Sequence, residues 1–150
     1  MKVIFVFIDG VGIGKKGLPQ SATGQTTIFS GVNAPLALNR HMSGQPTITL
    51  KKIIYKVNMF GELKKMGLKV ASANVYRDEY LANMLSLKDR RNRPSVTSVM
   101  SMAEHINFRN VADFINNNGV YHDITGERLR ESGYQIEPIS PQSAANSFTS

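Results

Sequence analysis

Six consecutive β-branched and aromatic residues, Val3 to Ile8, open the chain with no polar position among them. Such a run predicts a strand buried on both faces, the kind that parallel sheets use. Glycines at 10, 12 and 14 end it. The hydroxyl-rich segment Leu18 to Thr27 then predicts a helix beginning near Ser21, and Gly31-Val32-Asn33-Ala34-Pro35 reads as its stop and turn. Residues 36–50 are mixed and turn-rich around Ser43-Gly44-Gln45-Pro46, which predicts loop. Asn58 is placed to cap a helix with Phe60, Leu63 and Met66 on one face and Gly67 as its end. Leu68 to Ala73 reads as a second buried strand.

Further on, residues 77–87 predict a helix with Tyr80, Leu81, Met84 and Leu85 as its apolar stripe. Asp89 to Pro94 is a charged break, and Val96 to Met102 is apolar without a clear period. Asn110 to Asn118 predicts a helix with Val111, Phe114 and Ile115 inward. A short stretch at Val120 to Ile124, a helix near Glu127 to Glu131 and a turn at Pro138 to Pro141 complete the pattern. Strands alternating with helical crossovers predict an α/β fold, a partial Rossmann-like sheet with helices on both faces. Residues 35–60 and 90–130 are expected to form loops or a small cap. Ser140-Pro141-Gln142-Ser143 resembles a helix start, yet the chain ends ten residues after Ser140. The pattern reads as the N-terminal portion of a single domain, 1–150, cut short.

Composition places this pattern in a globular chain: of 150 residues, 41% are hydrophobic and 19% charged. Residues 3–8 are too few for a membrane span or a signal-peptide core, so a cytoplasmic protein is expected. With no cysteine, disulfides and thiolate metal sites are excluded. The net charge of +7 is unevenly placed. No acidic residue lies between Asp9 and Glu62, whereas Lys15, Lys16, Arg40, Lys51, Lys52 and Lys56 do. That stretch would attract an anionic partner, or is simply a solvated basic surface.

Chemistry concentrates where the first strand ends. Asp9 sits at the carboxyl end of a buried strand among glycines, where open α/β sheets place ligand sites. Ser21, at an expected helix start, would lie in the positive field of a helix N-terminus, suited to an oxyanion. Gly12-Ile13-Gly14-Lys15-Lys16-Gly17 matches G-x-G-x-x-G, but no acidic residue for a ribose hydroxyl occurs before Glu62, so a dinucleotide loop is not expected.

Phe7-Ile8-Asp9-Gly10-Val11-Gly12-Ile13-Gly14, followed by Gln20-Ser21-Ala22-Thr23-Gly24-Gln25, resembles the amino-terminal half of the alkaline phosphatase superfamily. The branch it looks most like includes cofactor-independent phosphoglycerate mutase and phosphopentomutase. The resemblance implies an alkaline-phosphatase-like sheet, with Asp9 as a metal ligand. It implies Ser21 as the nucleophile that takes up the phosphoryl group, and as a second oxygen on the metal. Two divalent ions, Mn²⁺ or Zn²⁺ and possibly Mg²⁺, would serve a complete site. The motif-bearing stretch is residues 3–34. The superfamily's other ligands, an Asp-His-Gly stretch and further Asp and His, have no counterpart in this sequence. What is expected is therefore half a site for metal-dependent phosphoryl transfer, of phosphatase or mutase type, on a small phosphorylated substrate. The alternative is a non-catalytic remnant acting as a partner-binding subunit.

Arg40 and His41 are candidates for substrate phosphate, since a guanidinium fork matches its oxygens. Arg90, Arg91 and Arg93 are weaker candidates beside the reading as a solvated turn. Tyr121-His122-Asp123 invites a dyad reading, but a surface turn accounts for it better. The lysines at 51, 52, 56, 64 and 65 have few interleaved aromatics, only Tyr55 and Phe60, so nucleic acid is not the expected partner. A half sheet leaves an open edge, which predicts self-association or a second chain.

Overall fold

The computed structural model describes residues 22–86 and 93–146. Among them are nine helices: α1 (Ala22–Ser30), α2 (Ala34–Leu38), α3 (Ile48–Lys56), α4 (Met59–Lys65), α5 (Asp78–Ser86), α6 (Val96–Ala103), α7 (Val111–Ile115), α8 (Glu127–Glu131) and α9 (Pro141–Asn146). The chain divides into two compact units, Met1–Val70 with Arg93–Ile106, and Ala71–Asn92 with Asn107–Ser150.

Short helices are marginal on their own, so their ends have to be closed. Side-chain oxygens of Asn33, Thr47, Asn58, Ser95 and Asn110 accept backbone N–H groups at the starts of α2, α3, α4, α6 and α7. At α7 the bond is reciprocal, with Asp113 reaching back to the Asn110 N–H at 2.9 Å. The carboxyl ends of α4, α6, α7 and α8 share one device. A left-handed residue (Gly67, His105, Asn117 or Gly133) follows the last turn. Its N–H and that of the next residue return to carbonyls inside the helix, as Gly67 does to Lys64 at 2.9 Å and Leu68 to Leu63 at 3.1 Å.

In the first unit α1 packs against α2, α3 and α6, and α3 against α6. Its core is Ala22, Phe29, Ala34, Leu50, Ile54, Val96, Val99 and Met100. Residues 48–56 build much of it: Leu50 and Ile54 are wholly buried and Ile53 packs against them from the same face. In the second unit Val75, Val111, Phe114, Tyr121, Leu129 and Ile136 form the core, and Met84 of α5 is fully buried. Gly126 there has φ +82°, and a Cβ on it would stand 2.5 Å from the Phe114 ring. A side chain is excluded twice, by backbone and by space.

The expected α/β sheet is not what the described residues form: they are helical, with no strand. Leu68 to Ala73, expected as a buried strand, lacks ladder partners along most of its length. Leu68 is spent closing α4, and Lys69 is exposed. Extended pairing is confined to two isolated parallel bridges, Asn74 with Val120 and Val75 with Arg109. The bonds are Val75 N–H to Val120 O at 3.0 Å, Val120 N–H to Ala73 O at 2.8 Å and Tyr76 N–H to Arg109 O at 3.0 Å. Helix starts cut the pairing short, since Asn110 caps α7 immediately after Arg109 and α5 begins at Asp78. The expected first strand, residues 3–8, lies outside the described residues. The stretch 36–50, expected as loop, contains most of α2 and the start of α3.

Candidate functional site

Of the four residues singled out for chemistry, Asp9 and Ser21 lie outside the described residues, and Arg40 and His41 lie within them. The path to these two is set by α2. Asn39 ends that helix in the left-handed conformation, φ 52°, and the Arg40 N–H donates to Pro35 O at 3.1 Å. The chain thereby turns back along the first turn of α1. There the Thr23 N–H donates to Met42 O at 3.4 Å, and the Met42 N–H donates to Thr23 Oγ1 at 3.3 Å. His41 Nδ1 stands 3.1 Å from the same hydroxyl. Thr23 is completely buried while both Arg40 and His41 are exposed, so a fixed hydroxyl orients a solvent-facing imidazole.

The floor beneath is polar as well. Thr27 Oγ1 donates to Thr23 O at 2.9 Å and accepts the Ala34 N–H at 3.1 Å, tying α1 to the start of α2. Thr26, wholly buried, makes no side-chain hydrogen bond among the described residues. A hydroxyl left unpaired in a core costs on the order of 1–3 kcal/mol. The arrangement sets the His41 imidazole against Thr23 in the first turn of α1, with the exposed Arg40 beside His41 in sequence. The hydroxyl that the imidazole meets is sealed from solvent, since Thr23 is fully buried.

No group of three His, Cys, Asp or Glu side chains comes together among the described residues. His41 already has Nδ1 on Thr23. Asp9 lies outside the described residues.

The remaining candidates resolve one by one. Asp123 does not address His122: its Oδ1 accepts the Gly126 N–H at 2.9 Å and its Oδ2 the Arg128 N–H at 2.7 Å, anchoring the start of α8. His122 instead faces Arg128, Nε2 to Nη1 at 3.3 Å. Arg90 and Arg91 lie outside the described residues, and Arg93 is exposed.

Two arrangements escaped the sequence reading. In the second unit the Tyr134 hydroxyl donates to Glu79 Oε2 at 2.8 Å and accepts the Asp78 N–H at 3.3 Å. Hydrogen bonds, first from its own backbone and then from Tyr134, hold the Glu79 carboxyl below its ordinary value, and burial raises the Tyr134 phenol. In the first unit a hollow of about 450 Å³ opens where α3 meets α4. Tyr55, Lys56, Asn58, Gly61, Lys64 and Glu104 are among its lining residues. The Tyr134–Glu79 pairing had no local signal because its partners are 55 positions apart, and in the hollow Glu104 meets Lys64 from 40 positions away.

No protein-family model matches the chain, and neither a curated protein nor a solved structure matches it.

Proposed function

We propose that the first turn of α1 binds the phosphoryl group of a small phosphorylated substrate, and that Ser21 accepts that group in a phosphatase- or mutase-type transfer. The observation that carries this reading is the contact of His41 Nδ1 with Thr23 Oγ1 at 3.1 Å. It sets His41 against Thr23, two positions after Ser21 in the sequence. Arg40 supplies a bidentate fork beside it, and the helix N-terminus adds N–H donors and a favourable field. His41 holds and orients the anion, while Arg40 offsets its charge. In the transfer the Ser21 oxygen forms the new bond to phosphorus as the bond to the leaving oxygen breaks, and the serine proton passes to solvent or base. The divalent ions implied by the resemblance to the alkaline phosphatase superfamily belong with Asp9. No step is assigned to a metal.

The test is turnover of a generic phosphate ester with added Mn²⁺, alongside binding of inorganic phosphate by calorimetry. Turnover is expected to vanish in Ser21→Ala while phosphate still binds. In His41→Ala, phosphate affinity should fall about tenfold, as expected for one charge-assisted hydrogen bond. A well-folded parent that binds no phosphate and turns nothing over would displace this reading in favour of a partner-binding subunit.

A further inference from the structure

We propose that the outer face of α3, together with the hollow it shares with α4, binds single-stranded nucleic acid. The helix has two faces of opposite character. Leu50 and Ile54 are sealed in the core. On the other side Ile48, Lys52 and Tyr55 follow at helical spacing, with Tyr55 58% exposed and Ile48 74% exposed. Lys51 and Lys56 flank this row. The face carries no acidic residue, and its three lysines make no ion pair among the described residues.

The hollow continues the surface: Tyr55 and Lys56 line it together with Lys64 and Lys65. Its two carboxylates are already committed. Glu62 pairs with Lys65 at 2.7 Å, and Glu104 Oε1 accepts from Asn58 Nδ2 at 2.7 Å. The Glu62 carboxylate accordingly holds the Lys65 ammonium above its ordinary value. Lys65 is spent on Glu62 and Lys64 Nζ donates to Glu104 O at 2.8 Å, so what remains available is the α3 lysines, Lys51, Lys52 and Lys56, around one exposed aromatic ring. Phosphates follow these lysines while a base stacks on the ring, and neither contact needs a particular sequence.

Charge over the wider chain points the same way. The residues of the first unit hold 11 Lys and Arg against 3 Asp and Glu, and those of the second 7 against 8. A strand of nucleic acid fits this face better than a lipid surface does. Only Ile48 and Tyr55 are exposed apolar groups on α3, and the helix cannot present more because its other apolar residues fill the core.

The experiment is fluorescence anisotropy of labelled oligo-dT and oligo-rU against the full chain over a salt series. Binding is expected, with log K falling against log salt at a slope near −2, on the order of 0.7 per phosphate neutralised. Tyr55→Ala should weaken it about tenfold while Tyr55→Phe retains it, because stacking needs the ring and not the hydroxyl. Lys52→Gln with Lys56→Gln should flatten the slope by about 1.4, two phosphate contacts at roughly 0.7 each. Arg130→Gln, on the other unit, is the charge control and should change little. Equal affinity in Tyr55→Ala, or an effect of Arg130→Gln as large as that of a single α3 lysine, would reduce the binding to net charge and overturn the proposal. So would binding of phosphatidylserine vesicles in the absence of oligonucleotide binding. Circular dichroism and thermal melting of each variant confirm that the fold persists.

Discussion

Asn58 does three jobs with one amide. Its Oδ1 accepts the Gly61 N–H at 3.0 Å, its Nδ2 donates to Ile54 O at 3.0 Å and also to Glu104 Oε1 at 2.7 Å. It is 2% exposed, so water cannot replace a partner that is lost. Gly61 makes room for this: a Cβ there would stand 2.7 Å from Glu104 Oε1. Asn58→Ala should therefore cost about 2–3 kcal/mol, more than an exposed cap. Asn58→Asp separates the roles, because it keeps the capping acceptor and loses the donor. At neutral pH it sets a second carboxylate against Glu104 and should be at least as damaging. That pair raises a carboxyl pKa in the folded state above its unfolded value. The loss relative to the parent should then shrink as pH falls through the carboxylate range. Urea melts at two pH values measure both effects. An aspartate variant as stable as the parent at neutral pH would show that the Glu104 contact contributes nothing.

Helix ends are where local sequence and structure agree most closely. Asn58 with Gly67, and Asn110 at the start of α7, are capping patterns that can be read directly, and the chain uses them as written. The interior of α3 carried an equally clear stripe, Leu50, Ile53 and Ile54, behind the cap Thr47. The turn residues 43–46 led to the reading of 36–50 as loop. Leu68 to Ala73 failed in the opposite direction. Its apolar content resembles a strand, but a sheet depends on distant partners, and here one of them, Arg109, runs directly into the cap of α7 after a single bridge. Phe114 points inward as its spacing suggested, while its neighbour Ile115 is 57% exposed, because a five-residue helix has only one face to bury. At the candidate site, the sequence offers Arg40 and His41 as candidates, but not the approach of His41 to Thr23, 18 positions earlier. One end signal remains open to improvement. His105 occupies the left-handed position after α6 with φ 53°, where glycine usually sits. A left-handed backbone costs a side-chain-bearing residue about 1–2 kcal/mol, against roughly 0.5–1 kcal/mol of extra chain entropy for glycine. His105→Gly should thus stabilise the protein by about 0.5–1 kcal/mol in thermal melts. Asn117→Gly, at φ 57°, should gain less because asparagine tolerates this region. A destabilised His105→Gly variant would mean that the imidazole contributes more than its backbone costs.

At the scale of the whole chain, two cores with no residue in common replace the single sheet-centred core that the sequence suggested. The first is assembled from residues 22–54 and 96–100, so the polypeptide leaves this unit after residue 70 and returns at residue 93. The second unit is built from the intervening excursion, residues 71–92, and from residues 107–150. Leu50 and Leu129 are each fully buried, one in each core. Truncating either to alanine should cost about 2–5 kcal/mol, the transfer term plus the cavity left behind. Where that cost is felt depends on whether the cores open separately. With no core residue shared, Leu129→Ala should raise amide exchange in α7 and α8 and leave α1, α3 and α6 near parental protection. Leu50→Ala should do the reverse. The double variant should then lose the sum of the two single effects within about 0.5 kcal/mol, as distant, uncoupled sites do. Hydrogen exchange read by mass spectrometry resolves the segments, and urea titration gives the sums. Uniform acceleration across both units from either single substitution would make the chain one cooperative block, and the separation of its cores a matter of geometry alone.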